Sequence, residues 1–285
     1  NVLSMLSRLG KKTAFIGKVG DDMFGHQLEE ALKEVGIDTI GLKKDCEIHT
    51  TLAFVHTKEG GDREFSFYRN PGADMMLCEE DLEEDLLKAC KIFHFGSLSM
   101  TDKLCRNATK KAIEVAKSNG AVLSFDPNLR EPLWKNLDMA KEQIDYGMQQ
   151  CDILKISDNE IVWFTGKEDY EEGVKALQDR YMIPLILLSI GKDGSRAYCQ
   201  GVKAEVPAML NERTIETTGA GDTFCACILN YVLEHGWRPY TKEELKEMLQ
   251  FANVAASIIT TKKGALRVMP TREEVEEMLK KREND

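Results

Sequence analysis

Residues 215–224 read Ile-Glu-Thr-Thr-Gly-Ala-Gly-Asp-Thr-Phe, and this stretch gives the strongest indication of the fold and of the functional site. Two glycines flank an alanine, an acid follows, and the apolar run behind it has the length of a helix that ends near Gly236. A glycine-rich turn that enters a helix leaves several backbone N–H groups without intrahelical partners. Such an end attracts phosphate, because the helix dipole adds positive potential and glycines let an anion approach closely. The stretch therefore predicts an anion-binding turn at a helix N-terminus.

Asp222 in this turn has two interpretations. Beside a bound phosphate, its carboxylate can accept the proton of an attacking hydroxyl group. An aspartate at the start of a helix can equally cap the helix with its side chain. The pattern Gly-Ala-Gly-Asp by itself leaves both open.

The segment from Glu216 to Asp222 resembles the Asp-Thr-Thr-Gly-Ala-Gly-Asp signature of the ribokinase (pfkB) family of carbohydrate kinases, and differs from it only at Glu216. The resemblance implies that Asp222 is the catalytic base. It also implies that the backbone amides of Gly219, Ala220 and Gly221 hold the charge of the transferring phosphoryl group. The implied fold is α/β, a ribokinase-like three-layer αβα sandwich with a mostly parallel central sheet and a small β lid. Residues 1–285 would form one such domain, with the lid at about residues 50–70.

Composition excludes several other classes of protein. The 285 residues carry a net charge of −10, which argues against a nucleic-acid or anionic-membrane surface. No apolar run approaches the ~20 residues of a membrane span, and no signal peptide is visible. Eight cysteines without a Cys-x-x-Cys pair predict reduced thiols in a cytoplasmic protein. Five scattered histidines lack a metal-ligand spacing, so metallo-hydrolase and charge-relay chemistry lose support.

Strand-like and helical segments alternate along the chain, which predicts an open sheet with ligands at the carboxyl ends of its strands. Strands are predicted at residues 13–19, 92–96, 121–126, 152–156 and 185–190. Helices are predicted at residues 1–9, 101–119, 139–150, 160–165, 171–181, 242–260 and 272–282, and between about residue 22 and Gly36. Alternating runs at residues 51–57 and 63–69, on either side of Gly60-Gly61, predict a β-hairpin that needs a packing partner. In the family this hairpin is the lid over the sugar and often the contact of a homodimer.

Sugar-binding residues are assigned from the resemblance and from turns at strand ends. Asp-Pro-Asn-Leu-Arg at residues 126–130 follows a predicted strand, where Arg130 can neutralise phosphoryl charge. Ordinary turn chemistry explains the same residues, and a helix N-cap explains Gly-Asp-Asp at residues 20–22. The family implies sugar contacts from Asn1, Gly20, Asp21, Asp22, Tyr68, Arg69, Asn128, Arg130 and Asp222.

The nucleotide and metal sites are implied by the family in the same way. Glu160 would organise Mg²⁺ through water, although Ser-Asp-Asn-Glu at residues 157–160 is also typical of a helix N-cap. K⁺ near Thr217 and Thr218 is a further expectation from the family. The residues expected around ATP are Ser189, Gly191, Gly194, Thr218, Gly219, Gly221, Asn253 and Gly264. Plain loop structure and close helix packing are the alternatives for these glycines and for Asn253.

The hypothesis from sequence is an ATP- and Mg²⁺-dependent sugar kinase, with fructose favoured by residues 126–134 and 68–74. Kinases for 2-keto-3-deoxygluconate or ribose are alternatives, and so is a catalytically weak sugar-binding or assembly protein. The family usually opens with a strand carrying an Asp and a Gly-Gly loop leading to an Asn, which Asn1 resembles. That first strand is therefore expected to be absent from the given sequence. A dinucleotide-dependent oxidoreductase is disfavoured because no Gly-x-Gly-x-x-Gly follows an early strand.

Overall fold

The computed structural model describes residues 1–57 and 63–283, which are built around a six-stranded sheet. The strands are β1 Thr13–Ala14, β2 Gly17–Gly20, β3 Ile37–Asp38, β4 Leu42–Asp45, β5 Leu52–Thr57, β6 Arg63–Tyr68, β7 Ile92–Gly96, β8 Val122–Asp126, β9 Ile153–Ser157, β10 Leu185–Ser189, β11 Ser195–Cys199 and β12 Val202–Val206. The helices are α1 Val2–Arg8, α2 Met23–Glu34, α3 Glu84–Ala89, α4 Lys103–Ser118, α5 Leu137–Gln150, α6 Asp158–Thr165, α7 Tyr170–Tyr181, α8 Ala220–His235, α9 Lys242–Ile259 and α10 Arg272–Glu283. None of these helices is both long enough and apolar enough to cross a bilayer.

The central sheet has the order β12-β11-β10-β9-β8-β7, and helices cover both of its faces. Leu185 and Leu187 of β10 pack into a core with α1, α8, α9 and α10. Ile186 and Leu188, pointing the other way, pack into a second core with α4, α5, α6 and α7. A strand buried on both faces is an unbroken apolar run, as residues 185–188 are. The fold is therefore the predicted three-layer αβα sandwich with a mostly parallel central sheet.

Parallel pairing brings the carboxyl ends of four strands to one edge of this sheet. β7, β8, β9 and β10 run parallel, with Gly96 opposite Asp126 and Ser157 opposite Ser189. The predictions of these four strands and of the long helices are confirmed to within a few residues. The edge where they end is the place for a ligand in such sheets.

Two parts of the main chain differ from the predictions. The single strand expected at residues 13–19 is two short strands, β1 and β2, which pair with β3 and β4 in separate two-stranded sheets. The break occurs where the Phe15 ring folds back over Gly17, since a Cβ at Gly17 would lie 2.5 Å from that ring. The antiparallel strands β11 and β12 were not predicted. Gln200 and Gly201 form the two-residue turn between them, with positive φ angles of 46° and 85°. The glycine in this turn is the feature of the sequence that could have indicated a hairpin.

The predicted hairpin is present as β5 and β6, which pair antiparallel with Leu52 opposite Tyr68. The Gly-Gly turn predicted between them lies outside the described residues. Within the described chain these two strands pair only with each other. Phe54 and Tyr68 stand exposed on the hairpin, with ring centroids 5.4 Å apart in an edge-to-face arrangement.

Candidate active site

The turn before α8 has the geometry of an anion-binding helix end. Gly219 occupies the N-cap position in the left-handed conformation, with φ 79° and ψ −3°, and contributes no capping side chain. The amide of Ala220 donates to the Thr217 carbonyl and closes the turn, and the amide of Thr223 donates to Gly219 at 2.8 Å. Between them, the amides of Gly221 and Asp222 stand at the positive end of a 16-residue helix. Of the three amides expected to form the anion hole, that of Ala220 is therefore already used within the turn.

Asp222 lies in the first turn of α8, and its Oδ2 accepts a hydrogen bond of 2.7 Å from Asn1 Nδ2. This contact joins the start of α1 to the start of α8, which pack against each other in the same core. The cap position belongs to Gly219, so the carboxylate of Asp222 is held by a side-chain amide beside the turn. The arrangement fits the interpretation of Asp222 as a base better than its interpretation as a cap.

A second loop closes over the same turn. A Cβ at Gly219 would lie 2.8 Å from Ala265 Cβ, so only a glycine allows this approach. The neighbouring Gly264 has φ 85°, and its amide donates to Glu216 Oε1 at 2.6 Å. Glu216, the one departure from the family signature, therefore fastens this loop to the segment that leads into the turn.

The turn at residues 126–130 leaves the carboxyl end of β8. Asp126 Oδ1 accepts from the Asn128 amide at 3.1 Å, and Asn128 has a positive φ of 43°. The Leu129 amide donates to Glu160 Oε1 at 2.9 Å. Arg130 is exposed, and its Nη1 donates to the Leu129 carbonyl at 3.1 Å. The local hydrogen bonds expected of a turn are present, and Arg130 keeps its remaining donors at the surface.

Glu160 forms a capping box at the start of α6. Its Oε2 accepts from the amide and hydroxyl of Ser157 at 2.9 and 2.8 Å, while Oε1 holds Leu129. The predicted N-cap interpretation is thus confirmed. In the part of the chain that the structure describes, no group of three His, Cys, Asp or Glu side chains could hold a metal ion.

Asp22 caps α2, as its sequence context predicts, and accepts from Gly25 N, Thr50 N and Thr50 Oγ1 at 2.8 Å each. Burial raises the pKa of Asp22, but the hydrogen bonds from Thr50 and Gly25 outweigh it and hold the pKa well below its usual range. Gly20 donates its amide to Thr50 Oγ1 at 3.0 Å, and Asp21 pairs with His26 at 2.7 Å. These contacts shape the loop. Direct contact of Gly20, Asp21 and Asp22 with a sugar stays a prediction.

A cavity of about 620 Å³ lies between the start of α2 and the hairpin. Asp22, Tyr68 and Arg69 line it, whereas Asp222 and Asn128 do not. The Arg69 side chain is 7% exposed, with Nε and Nη2 2.8 and 2.6 Å from Asp74 Oδ2 and Nη1 donating to Thr101 Oγ1. The structure thus uses Arg69 to anchor the base of the hairpin, and its expected role in binding sugar stays a prediction.

The residues expected around the nucleotide lie at the end of β10 and in the turn after it, at the start of α8, inside α9 and in the loop after α9. Gly191 and Gly194 have positive φ angles of 50° and 107°, and a Cβ at Gly194 would lie 2.2 Å from the Val206 carbonyl oxygen. Asn253 is buried, accepts from Ser195 Oγ at 2.8 Å, and donates to the carbonyls of Val206 and Pro207 at 3.2 Å. Its amide therefore supports the wall of this region from inside. Ser189 ends β10 and Thr218 is exposed beside the α8 turn; their contacts with ATP stay predictions.

Lys155 and Asp126 form a buried ion pair that was not predicted from the sequence. Lys155 Nζ lies 3.0 Å from Asp126 Oδ2, with the two side chains 9% and 7% exposed. Burial raises the pKa of Asp126 to about 6 and is offset in part by Lys155. Burial lowers the pKa of Lys155, but the charges of Asp126 and Glu160 outweigh it and raise that pKa. The signal in the sequence is a single lysine inside the apolar strand Ile-Leu-Lys-Ile.

His94 on β7 gives the site a pH-dependent contribution to stability. Its Nδ1 lies 3.0 Å from Ser124 Oγ, and burial lowers its pKa to about 4, with Asp222 opposing and Lys155 adding to the shift. In the unfolded chain the pKa of a histidine is about 6.5, so this contribution is complete above pH 6.5 and is lost as the pH falls towards 4.

We expect His94→Asn to lower the free energy of unfolding by about 2 kcal/mol less at pH 5 than at pH 7.5. At pH 5, about 1.5 pH units below the pKa of the unfolded histidine, the wild type has already lost about that much stability through protonation of His94 in the unfolded chain. Urea denaturation of both chains at the two pH values measures it. An equal cost at both pH values would contradict the prediction.

Known proteins resemble this chain over nearly its whole length. The family model for pfkB family carbohydrate kinases matches residues 1–272. The chain is 40% identical to probable fructokinase-4 of Arabidopsis thaliana over 98% of its own length and 86% of that protein, and 40% identical to fructokinase-1 of Zea mays over 99% and 87%. Among solved structures, it matches fructokinase with bound ATP from Xylella fastidiosa with a TM-score of 0.90 and 28% identity, over 99% of this chain and 89% of that one. Fructokinase from Vibrio cholerae with fructose, ADP and calcium ion bound gives a TM-score of 0.88 and 28% identity, over 98% and 89%.

The chain belongs to the pfkB family of carbohydrate kinases. It is therefore an enzyme that phosphorylates a carbohydrate.

Proposed function

We propose that this protein is an ATP-dependent fructokinase that converts fructose to fructose 6-phosphate. The observation that carries the proposal is the Asp222 carboxylate, held by Asn1 at 2.7 Å beside the uncapped N-terminal turn of α8. A base next to an anion-binding turn is the arrangement that phosphoryl transfer to an alcohol needs. Fructose as the sugar is supported by relatives of that name at 40% identity over nearly the whole chain.

In this reaction the sugar hydroxyl oxygen attacks the γ-phosphorus in line while Asp222 takes its proton. The new oxygen–phosphorus bond forms as the bond between the γ-phosphorus and the β–γ bridging oxygen breaks, and ADP leaves with that electron pair. Asn1 donates to Oδ2 of Asp222 and so holds the carboxylate in place for this proton transfer. The amides of Gly221 and Gly219 stabilise the charge on the transferring group. Arg130 adds positive charge from the neighbouring turn.

The nucleotide would lie along the glycine turns that follow β10 and the loop at Gly264. Gly191 and Gly264 are open on the side where a Cβ would project, which allows a ligand to approach the backbone. Glu216 holds the Gly264 loop in place. This arrangement supports ATP as the phosphoryl donor, as in the relative from Xylella fastidiosa.

The residues present are compatible with Mg²⁺ if the phosphates of the nucleotide supply most of its ligands. Mg²⁺ keeps most of its waters and needs few protein ligands, and Glu160, at the start of α6, supplies an acidic side chain beside the 126–130 turn. When bound, the ion neutralises charge on the phosphate oxygens. A K⁺ ion beside Thr217 and Thr218 is part of the same proposal, and a potassium ion is bound in one structure of the Vibrio cholerae relative.

We also propose one kinase domain over residues 1–285, with a homodimer formed through the hairpin. Phe54 and Tyr68 are 57% and 68% exposed on a hairpin whose strands pair only with each other in the described chain, so a partner surface would cover them. Eight free cysteines support a cytoplasmic location.

The decisive experiment measures ADP release by a coupled assay with fructose, ribose and 2-keto-3-deoxygluconate, each with and without Mg²⁺. We expect turnover to be fastest with fructose and to disappear when EDTA removes Mg²⁺. Faster turnover with either other sugar would reassign the substrate. No stimulation by any sugar at millimolar concentration would favour the sugar-binding or assembly protein instead.

A further inference from the structure

Lys155 lies directly behind the anion-binding turn. A methyl group placed on Gly221 would be 3.4 Å from Lys155 Nζ and 3.8 Å from its Cε. The lysine side chain thus packs against the backbone of the first turn of α8. On strand β9 it projects to the same face as Ile153, which packs in the core that contains α8.

The same ammonium is tied to the other half of the site. Asp126, its partner at 3.0 Å, begins the turn that carries Asn128 and Arg130, and uses its second oxygen to hold the Asn128 amide. Glu160, which adds negative potential at Lys155, holds the next amide of that turn. One buried cation therefore contacts the turn that binds phosphate and the carboxylate that shapes the opposite turn.

Stability alone does not account for this arrangement. A cation beside the positive end of a helix is repelled by the helix dipole, and burial adds a desolvation cost. Replacing a buried ion pair by uncharged groups of similar size is often neutral or stabilising. Positive potential at this point favours an anion in the α8 turn as well as balancing Asp126.

We propose that Lys155 is a positioning residue for phosphoryl transfer, which holds the α8 turn and the 126–130 turn in register and adds positive potential behind the transferring phosphoryl group. The proposal rests on the proposed kinase function. Lys155 acts through the backbone of Gly221 and through Asp126.

The test compares Lys155→Met with the double variant Lys155→Met/Asp126→Asn. The single variant leaves a buried carboxylate unpaired, so we expect it to lose thermal stability as well as activity. The double variant buries no unpaired charge and keeps an oxygen for the Asn128 amide, so its Tm should return to within a few degrees of the wild type. Its kcat should stay at least 30-fold low, with KM for fructose within about threefold. Lys203→Met is the matched control, since Lys203 pairs with Glu171 and Glu205 outside the site, and its kcat should be unchanged.

A second readout needs no turnover. Calorimetric titration with Mg-ATP and Mg-ADP should show that the double variant weakens ATP binding at least fivefold more than ADP binding, because the γ-phosphoryl group lies at Gly221. Recovery of kcat in the double variant, or equal loss of both affinities, would show that Lys155 only balances Asp126. If the double variant fails to fold, Lys155→Gln is measured by the same criteria.

This readout also separates the two proposals. A wild-type chain that binds ATP but phosphorylates no sugar would overturn the proposed function, while the difference between ATP and ADP affinity would still decide the role of Lys155.

Discussion

Asp222→Asn is expected to lower kcat for fructose phosphorylation by about 10²–10⁴-fold, the range that a positioned general base contributes. The amide has nearly the shape of the carboxylate and can still meet Asn1, but it cannot take the hydroxyl proton. Because the backbone amides of the α8 turn are unchanged, the affinity for ATP should stay within about threefold. Steady-state kinetics and calorimetric titration with ATP measure the two quantities.

A matched control comes from another helix start. Asp138 is an exposed aspartate in the first turn of α5. Asp138→Asn changes the same functional group in the first turn of another helix, away from the site, and should leave kcat unaltered. An Asp222→Asn enzyme with a near-normal rate would refute the assignment of the base.

Gly219→Ala is expected to reduce kcat/KM for fructose by about 10²–10³-fold, the effect of disturbing donors in an oxyanion hole. The added methyl group would lie 2.8 Å from Ala265 Cβ, which is rigidly attached to its backbone. Gly219 also has a φ of 79°, where an L-residue is strained by about 1–2 kcal/mol. The turn has to move, and with it the amides that face the phosphate. Kinetics together with urea denaturation measure both parts of the effect.

Gly166→Ala separates backbone strain from the site. Gly166 is also left-handed, with φ 70° and ψ 14°, at the end of α6, and a Cβ there would meet nothing within 4 Å. It should lose a similar 1–2 kcal/mol of unfolding free energy and keep its kcat/KM. Equal losses of activity in the two variants would mean that general destabilisation, and not the geometry of the anion turn, explains Gly219→Ala.

Elements with a strong local signal could be predicted from sequence. The strand at residues 185–189 contains the apolar run 185–188, and the helix start at residues 157–160 is a capping box, so each is specified by neighbours in the chain. Strands β11 and β12 were missed because their mixed composition is stabilised by the pairing of β11 with β10, which lies outside the local window.

The site shows the same division. Asp222 and the glycines around it could be named because they are contiguous and match a family signature. Lys155 could not, because its partners Asp126 and Gly221 lie on other elements and only the packing of α8 on β9 brings them together. Arg69 could be selected from the sequence as a candidate, but its contacts could not be predicted, because its guanidinium binds Asp74 and the more distant Thr101.

By itself, then, the sequence determined the family, the alternation of strands and helices, and the chemistry of the α8 turn, because a glycine-rich helix start has the same electrostatics wherever it occurs. Only the tertiary structure decided which polar groups remain available for a ligand. Hydrogen bonds between distant segments occupy Asn253, Asp22 and Glu160, whereas Asn1 is brought to Asp222 by the packing of α1 on α8. Those contacts depend on how the layers meet, which no local stretch of residues specifies.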